Sequence, residues 1–277
     1  MIRHYTGKGN LQLKADHWGE PGAQPILLSH GGGQTRHAWK GTGQALADAG
    51  FHAIALDLRG HGESDWSPEK DYSTSAFAED LCRVIDTLEQ PPALVGASLG
   101  GMASMLVSGL FAPDKVSALV LVDIALHNEP KGVERIVNFM SGNPDGFATL
   151  DEAAEAIAGY TGHRKRERNP EGLMKNLRER NGRYYWHWDP DFMDRAPGHV
   201  EKREQQMNDA ANNLKVPVLL VRGGLSDIVS EESARLFQER IPHAEYVNVS
   251  GASHMVAGDR NDIFTRAVLD FLQKIYN

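Results

Sequence analysis

The chain has 277 residues, of which 41% are hydrophobic and 24% charged, and a mean hydropathy of -0.42. Those values exclude collagen-like, fibrous and disordered classes and suit one large domain, or one domain carrying a sizeable insertion. A net charge of -8, from 29 basic and 37 acidic residues, argues against a nucleic-acid binder, whose affinity comes from neutralising phosphates.

Turn signals at Gly7-Lys8-Gly9-Asn10, followed by Leu11 and Leu13 alternating with polar residues, predict an opening hairpin of antiparallel edge strands. Strand Ile26–Ser29, helix Ala38–Ala49 and strand His52–Leu58 follow. Helix Thr74–Leu88 places the single cysteine, Cys82, among Leu81, Val84 and Ile85 as a packed thiol. One cysteine can form neither an internal disulfide nor a thiolate zinc cluster. Strand Ala93–Ala97, helix Gly101–Leu110 and strand Ala118–Ile124 continue the alternation. Several of these strands are apolar throughout, as in a parallel sheet buried on both faces.

From His127 to Asn213 the rhythm breaks. No buried strand is expected there, only helical patches at Val133–Met140, Asp151–Tyr160 and Glu171–Arg180 with Gly, Pro and Asn between them. The basic run His163–Arg168 reads as a solvated turn or helix end. Strand Val216–Arg222, helix Glu231–Glu239, strand Glu245–Val249 and helix Ile263–Ile275 complete the chain. In the last helix Ile263, Phe264, Ala267, Val268, Phe271, Leu272 and Ile275 fall on one face. The expected fold is α/β, a mostly parallel eight-stranded sheet with helices on both faces. Its core domain spans 1–126 and 214–277, and 127–213 forms an inserted helical cap. The opening residues lack the apolar stretch of a secretory signal, so a cytoplasmic protein without membrane association is expected.

The strongest chemical signal is Gly96-Ala97-Ser98-Leu99-Gly100-Gly101, between an apolar strand and a helix. G-x-S-x-G in that setting is a sharp turn that strains the serine and exposes its hydroxyl, the flanking glycines removing side chains that would clash. A second signal, His30-Gly31-Gly32-Gly33 after strand Ile26–Ser29, can turn backbone N–H groups toward that serine, with the Leu99 N–H as the other oxyanion donor. A nucleophilic serine needs a base, and the base an orienting carboxylate. Among 12 histidines, His254 follows the last strand, where parallel sheets place function. Asp227, after strand Val216–Arg222, is the expected acid, giving the chain order Ser98, Asp227, His254; Asp123 is the runner-up. Neither a G-x-G-x-x-G after a first strand, nor G-x-x-x-x-G-K-[ST], nor H-E-x-x-H is present, so no nucleotide cofactor and no metal site are expected.

These motifs, in this order, resemble the α/β-hydrolase superfamily over essentially the whole chain, in its branch with a helical cap after the sixth strand. Asp57-Leu58-Arg59-Gly60-His61-Gly62-Glu63-Ser64 is similar to that family's D-x-R-G-x-G-x-S turn, a largely architectural segment, so His61 and Glu63 are not expected to be catalytic. The resemblance implies Ser98 as nucleophile, His254 as base, Asp227 as acid, and the N–H groups of Gly32 and Leu99 as oxyanion donors, with Gly33 an alternative to Gly32. Relatives that open epoxides or displace halide carry aspartate where this chain has Ser98. Relatives that cleave carbon–carbon bonds typically have tryptophan after the catalytic histidine, where this chain has Met255. The segments His30–Trp39 and Tyr184–Pro190 resemble bacterial hydrolases labelled as esterases, peroxidases or epoxide hydrolases.

The run Tyr184-Tyr185-Trp186-His187-Trp188, with Phe192 and Met193 behind it, can either wall an apolar pocket or pack the cap onto the sheet. Trp186, Trp188, His37 and Gly33 are the candidate substrate-binding residues, and His187 reads as a hydrogen-bonded packing residue. The implied partner is a small-molecule substrate: a small or medium, mostly apolar carboxylic ester or lactone cleaved through an acyl-enzyme, without a cofactor. Carbon–carbon bond hydrolysis, acyl transfer to peroxide or another acceptor, and a non-catalytic receptor role are the alternatives.

Overall fold

The computed structural model describes residues 1–161, 170–194, 198–254 and 261–276. Eight strands form one sheet: β1 (Ile2–Thr6), β2 (Gln12–Trp18), β3 (Pro25–Ser29), β4 (His52–Leu56), β5 (Ala93–Ala97), β6 (Ala118–Val122), β9 (Val218–Gly223) and β10 (Ala244–Val249). Their order is β1-β2-β4-β3-β5-β6-β9-β10. β1 and β2 run antiparallel at one edge, and every pairing from β4 to β10 is parallel. The hairpin turn uses left-handed Gly9 and Asn10.

β3, β4 and β6 are buried at every position because helices cover both faces. On one face, helices α1 (Lys40–Asp48) and α8 (Asn261–Tyr276) bring Leu46, Phe264 and Val268 against Ile26, Leu28 and Ala53. On the other, α2 (Thr74–Ile85), α3 (Leu99–Leu106) and α7 (Glu231–Arg240) bury Phe77, Leu106 and Phe237 against Leu27, Ile54 and Leu119. Ser73 and Ser230 cap α2 and α7, their hydroxyls accepting from the N–H groups of Ala76 (3.2 Å) and Ser233 (3.1 Å). Ile263, expected on the buried face of α8, is 38% exposed.

β6 stops at Val122, short of the expected Ile124, because Asp123 turns left-handed at φ 50°. Between β6 and β9 the chain leaves the sheet to form α4 (Pro130–Ser141), α5 (Leu150–Thr161), strands β7 (Leu177–Arg180) and β8 (Arg183–Trp186), and α6 (His199–Asn213). Two expectations are corrected here. Residues 177–180 are a strand and not the end of a helix, since Asn181 and Gly182 make a left-handed two-residue turn that pairs Arg180 with Arg183. α6 had no counterpart in the sequence reading, because its apolar stripe is only Met207, Ala210 and Ala211. The basic run 163–168 and Met255 lie outside the described residues.

Polar ties fasten this segment to the sheet. Tyr72 donates its hydroxyl to Asp189 (2.5 Å), the Gly62 N–H donates to His187 Nδ1 (2.8 Å), and Arg178 donates to the Gly62 carbonyl (2.6 Å). A side chain at Gly109 would meet the Ala210 carbonyl at 2.3 Å, so α6 lies directly on the backbone after α3. No described helix is long and apolar enough to cross a membrane.

Candidate active site

Ser98 caps α3 with φ 45° and ψ -110°, a conformation that costs a non-glycine residue of order 1–3 kcal/mol and persists only where its surroundings enforce it. The enforcement is visible. The Ser98 N–H donates to the Val122 carbonyl (3.1 Å), its carbonyl accepts from Met102 (2.9 Å), and the Gly100 N–H donates to His30 (3.1 Å). A Cβ on Gly96 would meet the Gly100 carbonyl oxygen at 2.4 Å, and one on Gly100 would meet the Ser29 oxygen at 2.3 Å. The glycines are therefore demanded by close backbone approach, and the elbow lifts Ser98 out of the strand.

His254 donates from Nδ1 to Asp123 Oδ2 at 2.7 Å. Asp123 is fully buried, and its carboxylate also accepts from the Gly223 N–H (2.9 Å) and the Ser226 hydroxyl (2.5 Å). Because a carboxylate only accepts, Nδ1 carries the proton and the Nε2 lone pair is left as the basic site. The structure thus brings Asp123, the runner-up, to His254 in place of the expected Asp227. Asp227 pairs instead with Arg135 (2.9 Å), with 40% of its side chain exposed. Val122 is in register with Val221 on the neighbouring strand, so an aspartate one residue past β6 reaches the end of β9 and the loop behind it, over which the loop after β10 brings His254.

Ser98, Leu99 and His254 border one cavity of about 360 Å³, together with Gly32, Gly33, His37, Trp186 and Trp188. Every candidate site residue of the sequence except Asp227 is thus brought together. Gly31 approaches Ser98 closely, its missing Cβ lying 3.4 Å from that of the serine. Its N–H is taken by Gln34 Oε1 (2.9 Å), which leaves Gly32 and Gly33 as the donors the run can offer. Gly33 has φ 73°, and its carbonyl accepts from His187 Nε2 at 3.2 Å. His187 accepts at its other nitrogen from Gly62, so this imidazole ties the glycine run to the turn after β4. It is 1% exposed, and burial holds its pKa well below the usual imidazole value. Burial, with the Arg36 charge adding to it, likewise lowers His37.

The aromatic run does both things open to it. Trp186 and Trp188 stack with centroids 4.9 Å apart and planes 13° from parallel; they are 8% and 4% exposed, yet both border the cavity. Phe139, Met140, Tyr160 and Arg203 also line it and were missed, since they are spread over three helices with no local motif. The D-x-R-G-x-G-x-S turn is fixed by buried ion pairs. Asp57 pairs with the Arg36 guanidinium and accepts from its N–H (2.7 Å) and from that of Glu63 (2.9 Å). Arg59 pairs with Asp80 at 2.6 Å. Burial raises Cys82 to about 11, in keeping with a packed thiol.

The alpha/beta hydrolase fold model matches residues 24–260. The chain is 30% identical to esterase Rv0045c of Mycobacterium tuberculosis, over 95% of this chain and 86% of that protein. It is 28% identical to the non-heme chloroperoxidase CPO-A1 of Kitasatospora aureofaciens, over 97% and 98%. Among solved structures, E-2-(acetamidomethylene)succinate hydrolase superposes with a TM-score of 0.85 at 23% identity, over 99% of each chain. The chain is a hydrolytic enzyme and belongs to the alpha/beta hydrolase fold family.

Proposed function

We propose that the protein is a serine hydrolase that cleaves a small or medium carboxylic ester or lactone through an acyl-enzyme. One observation carries the reading: His254 is held by the buried Asp123 carboxylate at 2.7 Å and borders the same cavity as the strained Ser98. Ser98 Oγ attacks the carbonyl carbon as His254 Nε2 takes its proton. The oxyanion is met by the N–H groups of Leu99 and Gly32, the first at a helix N-terminus where the backbone N–H has no intrahelical acceptor. The tetrahedral adduct collapses, and the leaving oxygen takes the proton back from the imidazolium, which Asp123 stabilises. Water, deprotonated by His254, then attacks the acyl-serine and releases the acid.

In this reading residues 127–213 act as a cap, with Trp186 and Trp188 as its inner wall, and the rest of the chain is the core. Ser98→Ala should lower turnover of p-nitrophenyl butyrate by about 10⁴-fold or more with an unchanged circular dichroism spectrum. Turnover close to that of the native protein would contradict the mechanism.

A further inference from the structure

The chain carries 37 acidic residues against 29 basic, yet the cavity has the opposite balance. Among the described residues Lys175 and Arg203 border it, and no aspartate or glutamate does. Arg203 is the more telling of the two. It is partly buried; burial lowers its pKa, countered only by the charge of its sequence neighbour Glu204. Arg36 and Arg59, each 2–3% exposed, sit on Asp57 and Asp80, whereas no hydrogen bond or ion pair reaches Arg203 among the described residues. Withdrawing a guanidinium from water without a partner is costly, and its planar fork of donors matches a carboxylate.

The helix that carries it is well anchored. Gln206 Nε2 donates to Ser75 Oγ at 2.9 Å, and Ala210 rests on Gly109, so the Arg203 backbone is fixed about one turn from a tie to α2. A hydrocarbon ester would leave the Arg203 guanidinium unanswered. Aromatic and aliphatic side chains make up most of the remaining wall.

We propose that Arg203, with Lys175 beside the same cavity, binds a carboxylate carried by the substrate, so that the natural substrate is an ester with a free carboxylate at its far end. Which bond is cleaved rests on the Ser98 reading, whereas the anion site stands on the cavity alone.

The test separates the two. Ser98→Ala protein is titrated calorimetrically with monomethyl hemiesters of straight-chain dicarboxylic acids of four to eight carbons, and with the matching dimethyl esters. At the best-fitting length the hemiester should bind about tenfold or more tightly than its diester, and Arg203→Gln should remove most of that preference. A diester equal or superior at every length overturns the proposal even if the variant misfolds, and so does a preference that a folded Arg203→Gln keeps. Turnover of the same compounds by the native protein is a separate readout. Preferential hemiester binding without hydrolysis would strike the serine mechanism and leave the anion site standing.

Discussion

Asp123 and Asp227 both lie just past strand ends, so position along the chain does not separate them. Hydrogen bonding does. Asp123 is buried on three donors, one of them His254, while Asp227 faces Arg135 at the surface. Asp123→Asn should reduce kcat/KM on a simple ester by about 10⁴-fold, because an amide oriented there favours the wrong imidazole tautomer. Asp227→Asn should change it only a few-fold, as exposed ion pairs contribute about 0–1 kcal/mol. Steady-state kinetics on the two purified variants decides between them. Ser98, His254 and the glycine run were legible in the sequence because each sits in a backbone geometry that leaves a local mark. The carboxylate that holds His254 was not, since that contact is set by how far a side chain reaches between neighbouring strands.

At the scale of elements, glycine does two different things. A Cβ on Gly96 would lie 2.4–2.6 Å from the backbone of Gly100 and Gly101, so Gly96→Ala must push strand and helix apart and should cost about 3 kcal/mol or more. Gly159, inside α5, has no described residue within 4 Å of where a Cβ would sit, and Gly159→Ala should stabilise by about 0.5–1 kcal/mol. Urea unfolding of both variants gives the two signs; equal effects would contradict the packing account. The sheet strands were readable because both their faces are buried. The β7–β8 hairpin was not read: Asn181-Gly182 is the strongest two-residue turn signal, but charged Arg178, Glu179 and Arg180 masked it with a helix-like pattern. α6 left almost no trace, because a helix burying three small or flexible side chains has a weak periodicity.

Across the whole molecule, histidines join the sheet to the inserted segment. His30 and His61 have ring centroids 5.3 Å apart, and His61 and His187 5.8 Å. Burial holds His30 at about 4 and His61 at about 3, against 6.5 for a free imidazole. The folded state therefore keeps these rings neutral while the unfolded chain takes up protons below about pH 6.5, so stability is complete above that pH. It falls as the pH drops from there toward 4, by about 1 kcal/mol per unit for each such ring. The thermal midpoint should decline between pH 6.5 and 5, above the range where most carboxylates titrate. A midpoint flat across that interval would contradict the neutral cluster.

The central claim is that Ser98, His254 and Asp123 act as one unit. Labelling with a fluorophosphonate probe, followed by peptide mapping, tests it most directly. The label should fall on Ser98 in the native protein, persist in Asp227→Asn, and slow by orders of magnitude in Asp123→Asn. Absence of label on Ser98, or loss of labelling in Asp227→Asn with retention in Asp123→Asn, would contradict it.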